Sequence, residues 1–304
     1  MVKPYRLTPA YKDVIWGGNS FKTLYNRDIP TNTTGEAFEA SVVPGFFSSA
    51  EGISFPELIK DEKLTGTGGF NLLFKLIDAR DNLSVQVHPD DELAAKLEGG
   101  RGKTECWYVL NAGEGSFLYL GFEKGVTKKD FERAVYHGGM EELLGKTYVK
   151  KGDFFFVPSG TVHAIGKGIV IAELQQSCDT TYRVYDYNRI DSKTGKERQL
   201  HKEKALIATN VTEYKSEPIV NITENREQLA SCPYFEIERI KCLKEQENTK
   251  NTYVLLFFVE GSANIISSSG EVLANAGDTF FIPASLGSFT IEGQCMYLRM
   301  QEVF

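Results

Sequence analysis

Hydrophobic positions in this chain fall mostly in short runs, and the runs read as strands. SVQVH, residues 84–88, alternates: Ser84, Gln86 and His88 share one face, Val85 and Val87 the other, and Pro89 ends the run. NLLFKLI, ECWYVLNAGEG, SFLYLGF, TYVKKGDFFFVPSG, GIVIAELQQ, YFEIERIKCL, TYVLLFFVEGS, ANIIS and DTFFIPAS are also strand-like, many closing on glycine turns. Many short strands with turn signals between them predict a mainly β chain, a sandwich or barrel. Helices are predicted only as islands. These are SFPELIKDEKL, with Ser54 and Glu57 as a capping box; TKKDFERAVYHGG, with Thr127 as N-cap and Phe131, Ala134 and Val135 as its apolar face; and LHKEKALIATN. A fourth, PDDELAAKLEGG, has Asp90 or Asp91 as cap and Gly99 past its end, so the chain turns away just after His88 and leaves that imidazole at a strand end.

One pattern occurs twice. Gly152-Asp153-Phe154-Phe155-Phe156-Val157-Pro158 and Gly277-Asp278-Thr279-Phe280-Phe281-Ile282-Pro283 both read GDxFFhP, with h apolar, a turn followed by a buried strand. Upstream, YVLNAGEG at 108–115 is answered by FFVEGSA at 257–263, each a strand running into a glycine turn. Two copies of one β-unit are predicted. The first is longer by a helical insertion at 122–145, and the polar stretch TEYKSEPIVNITENREQ places a boundary near residue 215, giving domains 1–215 and 216–304.

With 304 residues, 41% hydrophobic and 12% aromatic, the chain can fill a real core. A net charge of -7 argues against a broad nucleic-acid surface and leaves room for a small basic pocket that takes one anionic metabolite. The start lacks an apolar core, and runs such as VLLFFV at 254–259 are too short to span a bilayer, so the reading is a soluble cytoplasmic protein with no membrane partner. Cys106, Cys178, Cys232, Cys242 and Cys295 show no CxxC spacing and read as scattered reduced thiols.

The first copy of the repeat resembles the cupin motif, in which Gly-x5-Pro-x-Gly-x2-His brings a histidine to the mouth of a small β-barrel; Gly152, Pro158, Gly160 and His163 match it in full. A lone histidine after a strand is more often structural than a ligand, and this turn pattern reverses that balance. Gln86, His88 and Glu105 add nitrogen and oxygen donors of the kind zinc takes, and such a set with an open position is what a Lewis-acid site needs.

VQVHPDDELA, GKTECWYVL, VPSGTVHAIG and SCDTTYRVYDYNR together resemble the short bacterial form of type I mannose-6-phosphate isomerase, and YKDVIWGG and GEAFEAS extend the likeness. It runs from Trp16 to about Arg189, with the C-terminal part resembling the family's second cupin-like domain. The resemblance implies two cupin-like jelly-roll β-barrels with short helical insertions and one Zn2+ per chain, held by His88, Glu105 and His163 with Gln86 as fourth ligand. It implies Arg183 as the active-site arginine and Lys103 as a lysine facing the substrate. The implied reaction interconverts mannose 6-phosphate and fructose 6-phosphate through an enediolate. The expected partner is a small sugar phosphate, and the expected assembly a monomer or weak homo-oligomer. Glu36, Glu173 and Asp179 are candidates for orienting the substrate, against ordinary strand-edge or turn solvation, and Trp16, in a glycine-flanked loop, for bordering the pocket.

Two departures from the family pattern stand out. Phe38 replaces the tryptophan usual between the glutamates of GEAFEAS, which would reshape the pocket wall, and the long helical insertion of the eukaryotic form is missing. His137, His201 and Trp107 read as packing or surface residues. In the second copy Ser288 stands where His163 does and Ser285 where Gly160 does, which predicts no second zinc site. The competing readings are a non-catalytic sugar-phosphate-binding cupin and an iron-dependent cupin oxygenase.

Overall fold

The computed structural model describes residues 2–66, 68–191, 194–215 and 220–303. The longest apolar runs of the first half, Leu72–Ala79, Glu105–Ala112 and Ile169–Gln176, lie within one six-stranded antiparallel sheet. Its order is Phe154–Val157, Glu105–Ala112, Ile169–Gln176, Leu72–Ala79, Thr34–Ala40, Ala10–Asp13. These strands are apolar almost throughout because both faces of the sheet are covered. Cys106, Tyr108 and Leu110 point into a core shared with Tyr253, Leu255, Phe257 and Phe281 of the C-terminal part. Trp107 and Val109 point the other way, against Leu118, Leu120 and Ile165.

Those last residues belong to a five-stranded sheet, ordered Leu144–Tyr148, Phe117–Phe122, His163–Ile165, Val85–Val87, Tyr182–Tyr185. Val85 and Val87 face outward under the helices Lys128–His137 and Lys202–Ala208. The alternation in SVQVH thus directs Gln86 and His88 to the space between the two sheets.

The sheet of the second β-unit, or second sheet, has eight strands, and six of them repeat the order of the six-stranded first sheet: Thr279–Ile282, Val254–Ser267, Ser288–Glu302, Phe235–Asn248, Arg226–Ser231, Val220–Ile222. The shared motif is repeated bond for bond. Gly152 and Gly277 have φ of 91° and 90°, and their N–H groups donate to the carbonyls of Val109 at 2.9 Å and Phe258 at 2.7 Å. The N–H groups of Val109 and Phe258 donate back to the carbonyls of Asp153 and Asp278, and each aspartate side chain accepts from the backbone three residues upstream, Lys150 or Asn275. At φ near 90° a side chain is strained, which is why glycine opens both turns. Tyr5–Leu7 pairs with the Thr279–Ile282 strand, so a segment from the beginning of the chain edges the second sheet. The boundary expected between 215 and 216 abuts residues 216–219, which lie outside the described residues.

Three expectations are corrected. FFVEGSA does not end in a turn: Val254–Ser267 is one strand that continues through Gly261 at φ 75°, with its register shifted between Phe258 and Glu260. A β-bulge bends a strand without ending it. SFPELIKDEKL is two single-turn helices, Phe55–Leu58 and Glu62–Thr65, and the Ser54 side chain makes no cap bond; Asp61 instead accepts from Lys63 N–H and starts the second turn. The 15-residue strand Ser288–Glu302 has no counterpart among the expected elements. The helix caps at Thr127 and Asp90 form as expected, with Asp130 completing a capping box. Among the described residues no helix is long and apolar enough to cross a membrane.

Candidate active site

His88 follows the Val85–Val87 strand, Glu105 opens Glu105–Ala112, and His163 opens His163–Ile165. The three are fully buried and offer ligand atoms that all lie within 4.8 Å of one another. The ring orientations follow from one repeated device. His88 Nδ1 donates to the Thr180 carbonyl and His163 Nδ1 to the Thr161 carbonyl, each at 2.9 Å, so each Nε2 turns its lone pair inward. From Nε2, Glu105 Oε2 is 3.5 Å away for His88, and Oε1 is 3.4 Å away for His163. The Gln86 amide meets His163 Nε2 at 3.3 Å.

This donor set fits a divalent cation. Burial holds His88 well below the ordinary imidazole range and His163 down to about 4, so both rings are neutral ligands at physiological pH. Burial pushes the Glu105 carboxyl up to about 7, and neither of its oxygens accepts a hydrogen bond, although Lys103 Nζ lies 3.0 Å from Oε2. A buried carboxylate that accepts no hydrogen bond, facing two neutral imidazole nitrogens, matches the nitrogen and oxygen ligands that zinc takes. Among the described residues this is the one such group of histidine, cysteine and carboxylate side chains.

The triad lies directly behind a cavity of about 450 Å³, within the range that holds a small metabolite. Gln86 and Lys103 line the cavity and touch the triad, Lys103 Nζ also lying 3.2 Å from His88 Nε2. Trp16, Glu36, Glu173, Asp179 and Arg183 line it too, so every expected site residue lies on the cavity or immediately behind it. Arg183 is half-buried; its Nη1 donates to the Gln199 carbonyl at 2.9 Å and its Nε to Ser84 Oγ at 3.3 Å. Among the described residues no carboxylate forms an ion pair with it. His201 anchors its backbone from both sides, accepting from Arg183 N–H at Nδ1 and donating its own N–H to the Arg183 carbonyl. Phe38 is buried, stacked on Phe46 beneath Lys12 and Lys75, and is not among the residues lining the cavity.

Sequence reasoning missed Lys75, Lys12 and Arg198, all of which line the cavity. Lys75 Nζ is 3.0 Å from both Glu36 and Glu173, and Lys12 Nζ is 3.0 Å from the other oxygen of Glu36. Burial alone would raise Glu36, but Lys75 and Lys12 outweigh it and hold the carboxyl down to about 2. One signal was available: a lysine inside NLLFKLIDA, a run too apolar to be exposed, needs a buried partner.

The second sheet has an equivalent for three of these positions. Through the paired registers, Glu36, Lys75 and Glu173 correspond to Arg226, Glu238 and Arg299. The charges are inverted: Glu238 lies 2.7 Å from Arg226 and 3.5 Å from Arg299, and this triad lines a cavity of its own. Glu105 corresponds to Val254 and His163 to Ser288, which is exposed and accepts from Asn248.

Comparison with known proteins bears on both halves of the chain. Residues 5–105 match the family model "Phosphomannose isomerase type I, catalytic domain", and residues 225–301 match "Mannose-6-phosphate isomerase, cupin domain". A mannose-6-phosphate isomerase of Streptococcus mutans is 37% identical over 96% of this chain and 96% of its own. The crystal structure of the mannose 6-phosphate isomerase from Bacillus subtilis superimposes with a TM-score of 0.90 at 32% identity, covering 98% of this chain and 99% of that one. A mannose 6-phosphate isomerase bound with zinc and yttrium shares the fold, with a TM-score of 0.81 at 15% identity over 99% of this chain and all of that one.

Proposed function

The chain belongs to the type I phosphomannose isomerases, and on that premise we propose that it interconverts mannose 6-phosphate and fructose 6-phosphate, using one zinc ion held by His88, Glu105 and His163 with Gln86 as fourth ligand. The observation that carries the metal reading is the convergence of two neutral Nε2 atoms on a fully buried carboxylate whose close cationic partner is Lys103, behind a polar cavity of metabolite size. We read the two β-units as cupin-like jelly-roll barrels divided near residue 215, and the protein as cytoplasmic.

The reaction moves a proton between C2 and C1 of the open-chain sugar, and negative charge develops on O1 and O2. Zinc, when bound, supplies a Lewis acid that stabilises charge on oxygen without redox chemistry. The chain's own residues do the rest. Arg183 carries a guanidinium with no carboxylate partner among the described residues, so an anionic group of the substrate, phosphate or enediolate, completes it. Lys103, at the junction of triad and cavity, holds or transfers a proton at its Nζ. Glu36 and Glu173 keep their charge through Lys75 and accept sugar hydroxyls, Trp16 forms an apolar wall, and Asp179 lies at the exposed rim.

The test is a coupled isomerase assay on purified protein, after chelation and again after zinc is restored. Activity should vanish and return. His163→Ala should lower zinc affinity by about 10 to 100-fold or more, judging from what loss of a ligand's supporting partner costs. A folded His163→Ala protein with full zinc content and full turnover would sink the assignment.

A further inference from the structure

The line of contacts from the cavity to the metal ligands passes through Trp107. Its indole is fully buried, its Nε1–H donates to Glu173 Oε2 at 3.0 Å, and its ring meets the His163 imidazole edge-on, with centroids 5.2 Å apart and planes at 75°. Glu173 is in turn held by Lys75 at 3.0 Å. Gln86 and His88 approach His163 on its metal-facing side, the amide 3.3 Å from Nε2 and the ring with centroids 4.9 Å apart, and on its far side His163 has the single bond from Nδ1 to the Thr161 carbonyl. One hydrogen bond fixes a point on an imidazole and leaves the ring free to tilt about it. A second, rigid contact removes that freedom, and a metal ligand needs it removed because Nε2 must be aimed at one position.

The second sheet supplies an internal control. Trp107 pairs with Phe155 on one side and Glu173 on the other; at the equivalent place Leu256 pairs with Phe280 and Arg299. That frame has Ser288 for His163 and Val254 for Glu105, so where the imidazole is absent the indole and its carboxylate acceptor are absent too. The core position itself is filled there by an aliphatic side chain, fully buried. Packing alone therefore does not require an indole at this point of the frame.

We propose that Trp107 is a positioning residue, fixing the plane of the His163 imidazole for metal binding with Glu173 as its anchor. The inference rests on the zinc reading above and goes beyond it. Trp107→Phe keeps an aromatic ring and loses the N–H. In the full-length purified protein, the zinc dissociation constant, measured by competition with a chromophoric chelator, should rise about 10 to 100-fold. Thermal unfolding of both proteins in excess chelator separates this from a packing role: a lower Tm with unchanged zinc affinity would overturn the proposal. The second measurement does not depend on that variant folding. The chain has two tryptophans, so Trp16→Phe leaves Trp107 as the sole indole, and its emission should change on zinc titration and saturate at one equivalent. Emission indifferent to bound zinc would also overturn the proposal. A wild-type protein that takes up no zinc would instead refute the metal reading itself, and this inference with it.

Discussion

Arg183 pairs in register with Gln86, which puts its guanidinium over the cavity with Nη1 bonded to a carbonyl, Nε to Ser84 Oγ, and Nη2 available. Arg183→Lys keeps the charge and loses the planar fork, so kcat/KM should fall roughly 10²-fold. A fall in kcat alone identifies the enediolate as its partner, and a rise in KM alone identifies the phosphate; near-normal kinetics would reduce Arg183 to background charge. Glu36 makes a prediction about acid. Its folded value of about 2 lies below the ordinary 4.5, so its contribution is fully present above pH 4.5 and is lost as pH falls toward 2. For this fully buried group that contribution is about 3 kcal/mol. The stability gap between wild type and Glu36→Gln should narrow by about that amount from pH 7 to pH 2, read by urea unfolding; a gap equal at both would contradict the ion-pair account. That Gln86, His88 and Glu105 come together was legible in the sequence because Gln86 and His88 alternate onto one face of a short run and Glu105 opens another strand. Lys75 was not, because its meaning depends on strands 35 to 100 residues away.

At the scale of elements, local chemistry was read well wherever it was self-contained. The caps at Thr127 and Asp90 form within four residues. The Lys128–His137 helix covers the outer face of the five-stranded sheet, far from the triad, so Thr127→Ala should cost about 1 kcal/mol of stability and leave turnover unchanged. Lost activity at full stability would show that this helix shapes the cavity. The Ser288–Glu302 strand escaped notice because Arg299, Gln301 and Glu302 look like surface in a sequence yet are buried, Arg299 donating to Glu247 and Gln301, and Glu302 accepting from Asn71 and Tyr253. Gly293 within it also reads as a turn.

Across the whole molecule, two frames of the same strand order carry opposite charges at three matched positions, and only the first has a carboxylate, Glu105, where the second has Val254. Zinc analysis should therefore give about one ion per chain, and Ser288→Ala should be nearly silent; two tightly bound ions, or a catalytic collapse in that variant, would make this a two-site protein. Arg299→Ala is another matter. It takes from Glu247 the partner at 3.1 Å, leaving Arg226 at 2.6 Å and the Tyr297 hydroxyl at 2.8 Å, and should cost about 1.5 to 3 kcal/mol, read as a drop in Tm without loss of zinc affinity. The second frame meets the rest of the molecule through the shared core and at its edge, where Tyr5 lies opposite Phe281. A ribosome adds about 5 to 20 residues per second, so on the order of tens of seconds separate the making of these partners. Residues 5–7 leave the exit tunnel early and stay unpaired while the first sheet, whose last strand ends at Gln176, can already close. Their docking, which covers the otherwise open edge of the Thr279–Ile282 strand, has to wait until that strand is made.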